Sequence, residues 1–136
     1  MKPTILRTGK EPEFYTDEGC FILELLNSAE DEAVSIARAR VKPGVTTNFH
    51  RLREVGERYL ILKGTGRVEV GGLPPADLVP GDVVLIPPDC PQRITNTGGE
   101  DLLFLAVCTP RFTPAVYEDV DTELKQARNH LRTEEV

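Results

Sequence analysis

The sequence has no tryptophan, one methionine and three cysteines, and aromatic residues make up only 6% of its 136 positions. Three widely spaced cysteines exclude the dense disulfide framework of small secreted domains and indicate a reducing, cytoplasmic compartment. The longest apolar run, Leu102 to Cys108, is far shorter than the roughly 20 residues of a membrane-spanning helix. The first residues contain no apolar segment, so we expect neither a secretory signal peptide nor a membrane partner.

The chain also lacks an excess of positive charge, because 16 lysines and arginines face 22 aspartates and glutamates for a net charge of −6. This balance disfavours binding to nucleic acid or to an anionic membrane. Residues 38–67 are the local exception, with eight basic and two acidic residues. This segment predicts either attraction of a small anionic ligand or a solvated or dimer-facing surface.

What the chain has in plenty is turn residues, with 11 glycines and 11 prolines. Together with a length that fits one domain, they favour an all-β barrel or sandwich of short strands. The apolar segments between these turns predict strands at 20–26, 33–41, 47–52, 58–62, 67–70, 83–87, 92–96 and 102–108.

We divide this single domain into N-terminal strands that join the sheet (1–32), a barrel core (33–110) and a C-terminal arm (111–136). Within the arm the apolar spacing changes to that of a helix face, with Val120, Leu124, Ala127 and Leu131 in line. A short C-terminal helix is therefore predicted, and the alternative is a frayed polar tail.

Two glycine-bounded segments carry the chemistry of the chain. The first begins at Gly44 and continues through His50, Leu52 and Glu57 to Gly64. It resembles the first motif of the cupin superfamily, in which a glycine precedes His-x-His, a glutamate and a closing glycine. Here Leu52 stands where that pattern has its second histidine.

The second segment runs from Gly81 through Pro87, Asp89 and Gln92 to Asn96. It resembles the second cupin motif, with Asp89 in place of a glycine and Gln92 in place of a histidine. The resemblance covers about residues 33 to 108 and implies a double-stranded β-helix, the jelly-roll barrel of the cupins, and a homodimer. An unpaired edge on the N-terminal strand 20–26 is the surface where we expect a neighbour.

The alternation of side chains along a strand supports the same candidate site as the two motifs. Side chains on a strand alternate between its two faces, so each motif's polar residue shares a face with nearby apolar ones. These same-face sets are His50 with Leu52, Glu57 with Tyr59 and Ile61, and Gln92 with Ile94. Buried polar groups need partners, so we expect His50, Glu57 and Gln92 to meet inside the barrel, with Leu52, Ile61 and Ile94 lining the pocket.

In cupins with the complete pattern, three histidines and the glutamate bind a divalent metal. The resemblance implies that His50, Glu57 and Gln92 hold such an ion here, with zinc, manganese, iron or nickel as the candidates. The alternative is a metal-free pocket in which Gln92 forms a hydrogen-bond network with Glu57 or His50.

Two further residues are candidates for the pocket. Tyr59 shares the face of Glu57, and both are candidate catalytic groups, although a tyrosine there also fills core space while bonding a carbonyl. Arg38 is a candidate for binding an anion at the pocket mouth, and surface placement is its alternative.

Two classes of function follow. The first is a metal-assisted enzyme of the oxygenase, isomerase or lyase type that acts on a small molecule, with an anion as one candidate. The second is a metal-free binding or sensing protein, or a metal-free epimerase or cyclase, that uses the same cavity.

Overall fold

The computed structural model describes residues 1–9 and 11–121. These residues form short strands joined by turns, and their only helical segment is a single 3-10 turn, η1, at Pro114–Val116. The strands are β1 (Phe14–Tyr15), β2 (Phe21–Leu26), β3 (Ser35–Val41), β4 (His50–Leu52), β5 (Gly56–Lys63), β6 (Gly66–Val70), β7 (Ala76–Leu78), β8 (Val83–Ile86), β9 (Gln92–Asn96), β10 (Leu102–Thr109) and β11 (Tyr117–Asp119).

The strands assemble into two antiparallel sheets that face each other. The first sheet has the order β1-β2-β3-β10-β5-β8 and the second β11-β4-β9-β6-β7. Neighbours in space are mostly distant in sequence, as in a jelly roll, where the chain winds between two sheets. This architecture confirms the predicted all-β, double-stranded β-helix fold.

All eight predicted strands are present, with ends that shift by a few residues. Three strands were not predicted, namely β1, β7 and β11. Each has only two or three residues, too few for an alternating pattern to show. The predicted C-terminal helix falls almost entirely beyond the described residues.

The core lies between the two sheets and follows the alternation of each strand. In β10, Leu102, Phe104 and Cys108 are buried and Ala106 lines both cavities, whereas the alternate residues Leu103, Leu105 and Val107 lie on the outer face of the sheet. Asn96 is buried as well, and its side-chain amide donates to the carbonyl oxygens of Val41 (2.8 Å) and Glu100 (2.7 Å). This motif asparagine therefore has a structural role, because it satisfies backbone groups that neighbouring strands leave unpaired.

Cysteine and membrane predictions can both be compared with this fold. Cys20, Cys90 and Cys108 are all free thiols, in line with the absence of a disulfide framework. Among the described residues, none belongs to a helix long and apolar enough to cross a bilayer.

Candidate functional site

Two of the three predicted polar residues are in direct contact inside the barrel. Glu57 projects inward from β5 and Gln92 from β9, and the Gln92 amide donates to Glu57 Oε1 at 2.6 Å. His50 on β4 is the register partner of Gln92. All three are almost completely buried, with exposures of 4% for His50, 8% for Glu57 and 0% for Gln92. The two sheets therefore bring together groups that are far apart in sequence.

The ring of His50 is fixed on several sides. Its Nδ1 lies 2.8 Å from the carbonyl oxygen of Asn48, which makes Nδ1 the protonated nitrogen, because a carbonyl only accepts. Its Nε2 lies 3.5 Å from Glu18 Oε2. Tyr117 stacks on the ring, with centroids 5.1 Å apart. The second nitrogen of His50 thus faces a carboxylate in a held orientation, at the wall of the small cavity.

Glu57 has the environment of a carboxyl group that retains its proton. Burial raises the pKa of Glu57, while the nearby charge of His50 opposes the rise. Its second oxygen accepts only a weak bond from the Cys108 thiol at 3.6 Å. Desolvation favours the neutral form of an acid, so Glu57 is suited to donate a proton.

Two adjoining cavities open at this cluster. The large cavity has a volume of about 310 Å³ and is lined by parts of β2, β3 and β10, the turn at Thr16–Glu18 and the segment Phe112–Tyr117. The small cavity, of about 60 Å³, lies against His50. Glu18 and Glu57 line both cavities, so the two spaces meet at the carboxylates that flank the histidine.

Of the four residues predicted to line the pocket, only Leu52 lines either cavity. Leu52 and Tyr59 line the small cavity. Tyr59 packs against Phe104 with ring centroids 4.5 Å apart, and burial raises its pKa well above the ordinary value. Ile61 and Ile94 lie deeper, in the apolar core, and line neither cavity. Tyr59 is thus a wall residue whose phenol is a poor proton donor.

The prediction that Arg38 lines the pocket needs correction. Arg38 belongs to β3 on the face opposite the inward Ala37 and Ala39, and its guanidinium binds Glu13 Oε2 at 3.2 Å. The acidic side chains that line the large cavity are instead Asp17, Glu18, Glu24 and Glu57. The basic segment 38–67 thus supplies no arginine or lysine to either cavity, which argues against an anionic ligand.

Three residues of the site were not anticipated from the motifs. Glu18 comes from a turn, and Tyr117 from the short β11 strand, so neither has a local pattern that reveals its partner. Glu24 does have a signal, because it is the only charged residue within the apolar segment FILELL, two positions from the inward-facing Ile22. A charge on the inner face of a strand is the type of position that marks a site.

The donor atoms do not fit the metal site that the resemblance implies. Leu52 offers no donor atom, and Gln92 offers only a neutral amide oxygen, since its amide nitrogen donates to Glu57. Across residues 1–9 and 11–121, no group of three or more His, Cys, Asp or Glu is arranged to hold a metal ion. A divalent transition metal prefers several imidazole or carboxylate ligands, and one imidazole beside a hydrogen-bonded carboxyl falls short of that set.

Comparison with known proteins places this geometry in a family. The family model of the cupin domain matches residues 37–108, and the chain therefore belongs to the cupin family. An uncharacterized protein of Methanocaldococcus jannaschii is 32% identical over 123 residues, which cover 89% of this chain and 95% of that protein.

Solved structures agree on the fold. A protein described as a predicted oxalate decarboxylase from Thermotoga maritima superposes with a TM-score of 0.69 at 25% identity, over 79% of this chain and 99% of its own. The nucleoside dehydratase Pac13 of Streptomyces gives a TM-score of 0.72 at 13% identity, over 88% of this chain and 92% of its own. The resemblance to the cupins is thus confirmed, and these folds include enzymes that act on small molecules.

Proposed function

We propose that this cupin is a metal-independent enzyme of the isomerase or lyase type that transfers protons on a small hydroxylated substrate. The observation that carries the proposal is the contact between His50 Nε2 and Glu18 Oε2, 3.5 Å apart at the junction of the two cavities. The same junction holds Glu57, whose pKa is raised by burial. Acid–base catalysis requires at least one proton acceptor and one proton donor within reach of the substrate, and this cavity contains both.

His50 acts as the base. The carbonyl of Asn48 holds the proton on Nδ1, so the lone pair of Nε2 is available to take a proton from substrate carbon. Glu18 then faces the imidazolium that forms and stabilises its charge at 3.5 Å. The carboxylate of Glu18, which comes from a turn, thus supplies a partner for His50 that the motif strand itself does not contain.

Glu57 acts as the acid. It donates its proton to the oxygen of the substrate, either to a carbonyl, which gives an enol, or to a leaving hydroxyl, which gives water and a double bond. The bond from the Gln92 amide at 2.6 Å orients the carboxyl and stabilises the carboxylate that remains. An isomerisation is completed when His50 returns its proton to the neighbouring carbon of the enediol and Glu57 takes back a proton from the other hydroxyl, which becomes the new carbonyl. An elimination is completed when water leaves and the proton on His50 returns to Glu57 through solvent.

The comparisons support a cupin enzyme or ligand-binding protein and no particular reaction or substrate. The dehydratase and the decarboxylase are both lyases by their descriptions, and both share this fold. Fold alone does not assign a reaction. A metal-free binding or sensing protein would use the same cavity without exchanging protons at carbon, so exchange separates the two candidates.

The test is solvent deuterium exchange, followed by proton NMR. The protein is incubated in D2O with a panel of small aldoses, ketoses, amino sugars, hydroxy acids and nucleosides. We expect one substrate class to gain deuterium at a single carbon, or to eliminate water. His50→Gln and Glu57→Gln abolish the effect, whereas Glu100→Gln, at an exposed carboxyl paired with Lys63, leaves it unchanged. Lack of exchange by every compound, or equal exchange by His50→Gln, contradicts the proposal.

We also propose that the protein is a homodimer, and the outer face of the first sheet supports this. Leu60 of β5 is paired with Leu105 of β10 on one side and with Val83 of β8 on the other. On the edge strand β8, Val83 and Leu85 are 57% and 69% exposed. Monomers rarely expose contiguous apolar surface of this kind. The strand predicted as the docking edge, β2, is itself paired on both sides, so β8 replaces it.

A further inference from the structure

The large cavity is acidic and has no cationic group of its own. Asp17, Glu18, Glu24 and Glu57 line it, and the described residues of its wall include no lysine, arginine or histidine. His50, in the small cavity, is the only basic side chain at the described walls of either space. Glu18 faces this one imidazole, which leaves the remaining carboxyls of the wall without a positive partner there.

Nearby arginines do not supply the missing charge, because each is already paired outside the cavity. Glu13 binds both Arg38 and Arg40, with its Oε1 2.5 Å from Arg40 Nη2. Arg111 Nε lies 3.0 Å from Glu32 Oε2. The positive charge of these side chains is therefore held away from the cavity.

The buried amide of Gln92 also lacks a hydrogen-bond donor for its oxygen. Gln92 is completely buried, and its Oε1 is a buried acceptor with no hydrogen-bond partner in the structure. Its Nε2 is occupied by Glu57, a residue of the cavity wall. An unsatisfied buried acceptor beside a carboxyl is unfavourable unless a group with hydrogens approaches.

Aromatic rings form a further part of the wall. Phe14, Phe112 and Tyr117 line the same space as the carboxyls. Ring faces attract cations, and a wall that combines carboxylates with rings is the usual composition of an ammonium-binding site. A phosphate or carboxylate would meet repulsion here from each ionised side chain.

From this composition we infer that the ligand of the large cavity carries an ammonium group, as an amino sugar or a small amino alcohol does. The ammonium binds among Glu18, Glu24 and the aromatic wall, while hydroxyl groups of the ligand donate toward Glu57, the wall carboxyl that the Gln92 amide holds. This inference rests on the proposed function and specifies the substrate class of the same site.

The experiment is isothermal titration at low ionic strength with matched pairs of probes. D-glucosamine is compared with D-glucose, and ethanolamine with ethylene glycol, so that each pair differs by an ammonium in place of a hydroxyl. We expect at least one amine to bind about tenfold or more tightly than its neutral counterpart, and the difference to shrink as salt is added. Glu24→Gln weakens the amine and leaves the neutral probe unchanged. Glu30→Gln, at an exposed loop position, is the control and changes neither.

The outcomes separate this inference from the proposed function. Equal affinity within both pairs, or failure of both amines to bind, overturns the ammonium inference, and deuterium exchange with neutral substrates would then still support acid–base catalysis. Tight binding of an amine without any proton exchange supports the ammonium inference and overturns the proposed enzyme. Unchanged amine binding by Glu24→Gln overturns the placement of the ammonium in the large cavity.

Discussion

Nε2 of His50 lies 3.5 Å from Oε2 of Glu18, so a motif histidine is completed by a carboxylate from the N-terminal turn. The position two residues after His50, where the cupin pattern has a second histidine, holds the apolar Leu52. The site has therefore exchanged an imidazole on the same strand for a carboxylate from another part of the chain. Such an exchange favours proton transfer over the binding of a transition metal.

Replacement of the histidine is expected to reduce turnover through the chemical step. His50→Gln should lower kcat by about 10² to 10⁴-fold, the contribution typical of a general base, with a smaller effect on KM. Glu18→Gln should give a smaller loss and shift the pH profile of kcat/KM. Because the two residues act as a unit, the double variant should lose little more than His50→Gln. Additive losses would show that Glu18 acts independently of the histidine.

Elemental analysis tests the absence of a resident metal. Protein purified without a nickel column and then incubated with iron, manganese, zinc and nickel salts should hold only substoichiometric metal, because Leu52 and Gln92 do not supply the missing donors. The double variant Leu52→His, Gln92→His restores the full pattern of the family and should bind one equivalent. One equivalent in the unaltered protein would contradict the metal-independent mechanism.

The stability of the fold should depend on the ionisation of Glu24. Burial raises the pKa of Glu24 above its ordinary value of 4.5, and the Asn27 side chain opposes the rise. The folded state then binds the proton more tightly than the unfolded state. The free energy of unfolding should fall as pH rises from about 4.5 through the raised pKa, and stay lowered above it.

Glu24→Gln removes this titrating carboxyl and should reduce the slope in that part of the profile, to which Glu57 with its own raised pKa also contributes. The free energy of unfolding is measured with urea across the pH range. Glu30→Gln, which alters an exposed carboxyl, serves as the control and should keep the slope of the unaltered protein. An identical slope in Glu24→Gln would show that another group causes the dependence.

The dimer prediction can be tested by light scattering after gel filtration. Leu85→Glu places a charge in the exposed apolar face of β8 and should convert the dimer to a monomer, because burial of an unpaired charge is unfavourable. Leu73→Glu is the matched control, since Leu73 is 68% exposed in a loop outside this face. A dimer that persists in Leu85→Glu would locate the interface elsewhere, and a monomeric unaltered protein would contradict the dimer itself.

Local patterns predicted the elements of this fold better than its site. Turn residues and alternation located every long strand, and the two motifs correctly brought Glu57 and Gln92 into contact. The sequence did not predict Glu18 and Tyr117 as site residues. Their contacts with His50 depend on a turn and a three-residue strand, which have no periodic pattern. Arg38 was assigned to the cavity although alternation left its face undecided.

The placement of Arg38 changes the expected ligand. The basic segment is neutralised by Glu13, Asp101 and Glu118, which come from other parts of the chain and whose pairing follows only from the assembled fold. Net local charge in a sequence therefore said little about the charge of the cavity.

Comparison of deuterium incorporation by the unaltered protein and by His50→Gln tests the central claim most directly. The account predicts deuterium at one substrate carbon, or elimination of water, with the unaltered protein and neither with His50→Gln, although both proteins unfold at similar urea concentrations. Equal incorporation by the two proteins would contradict it.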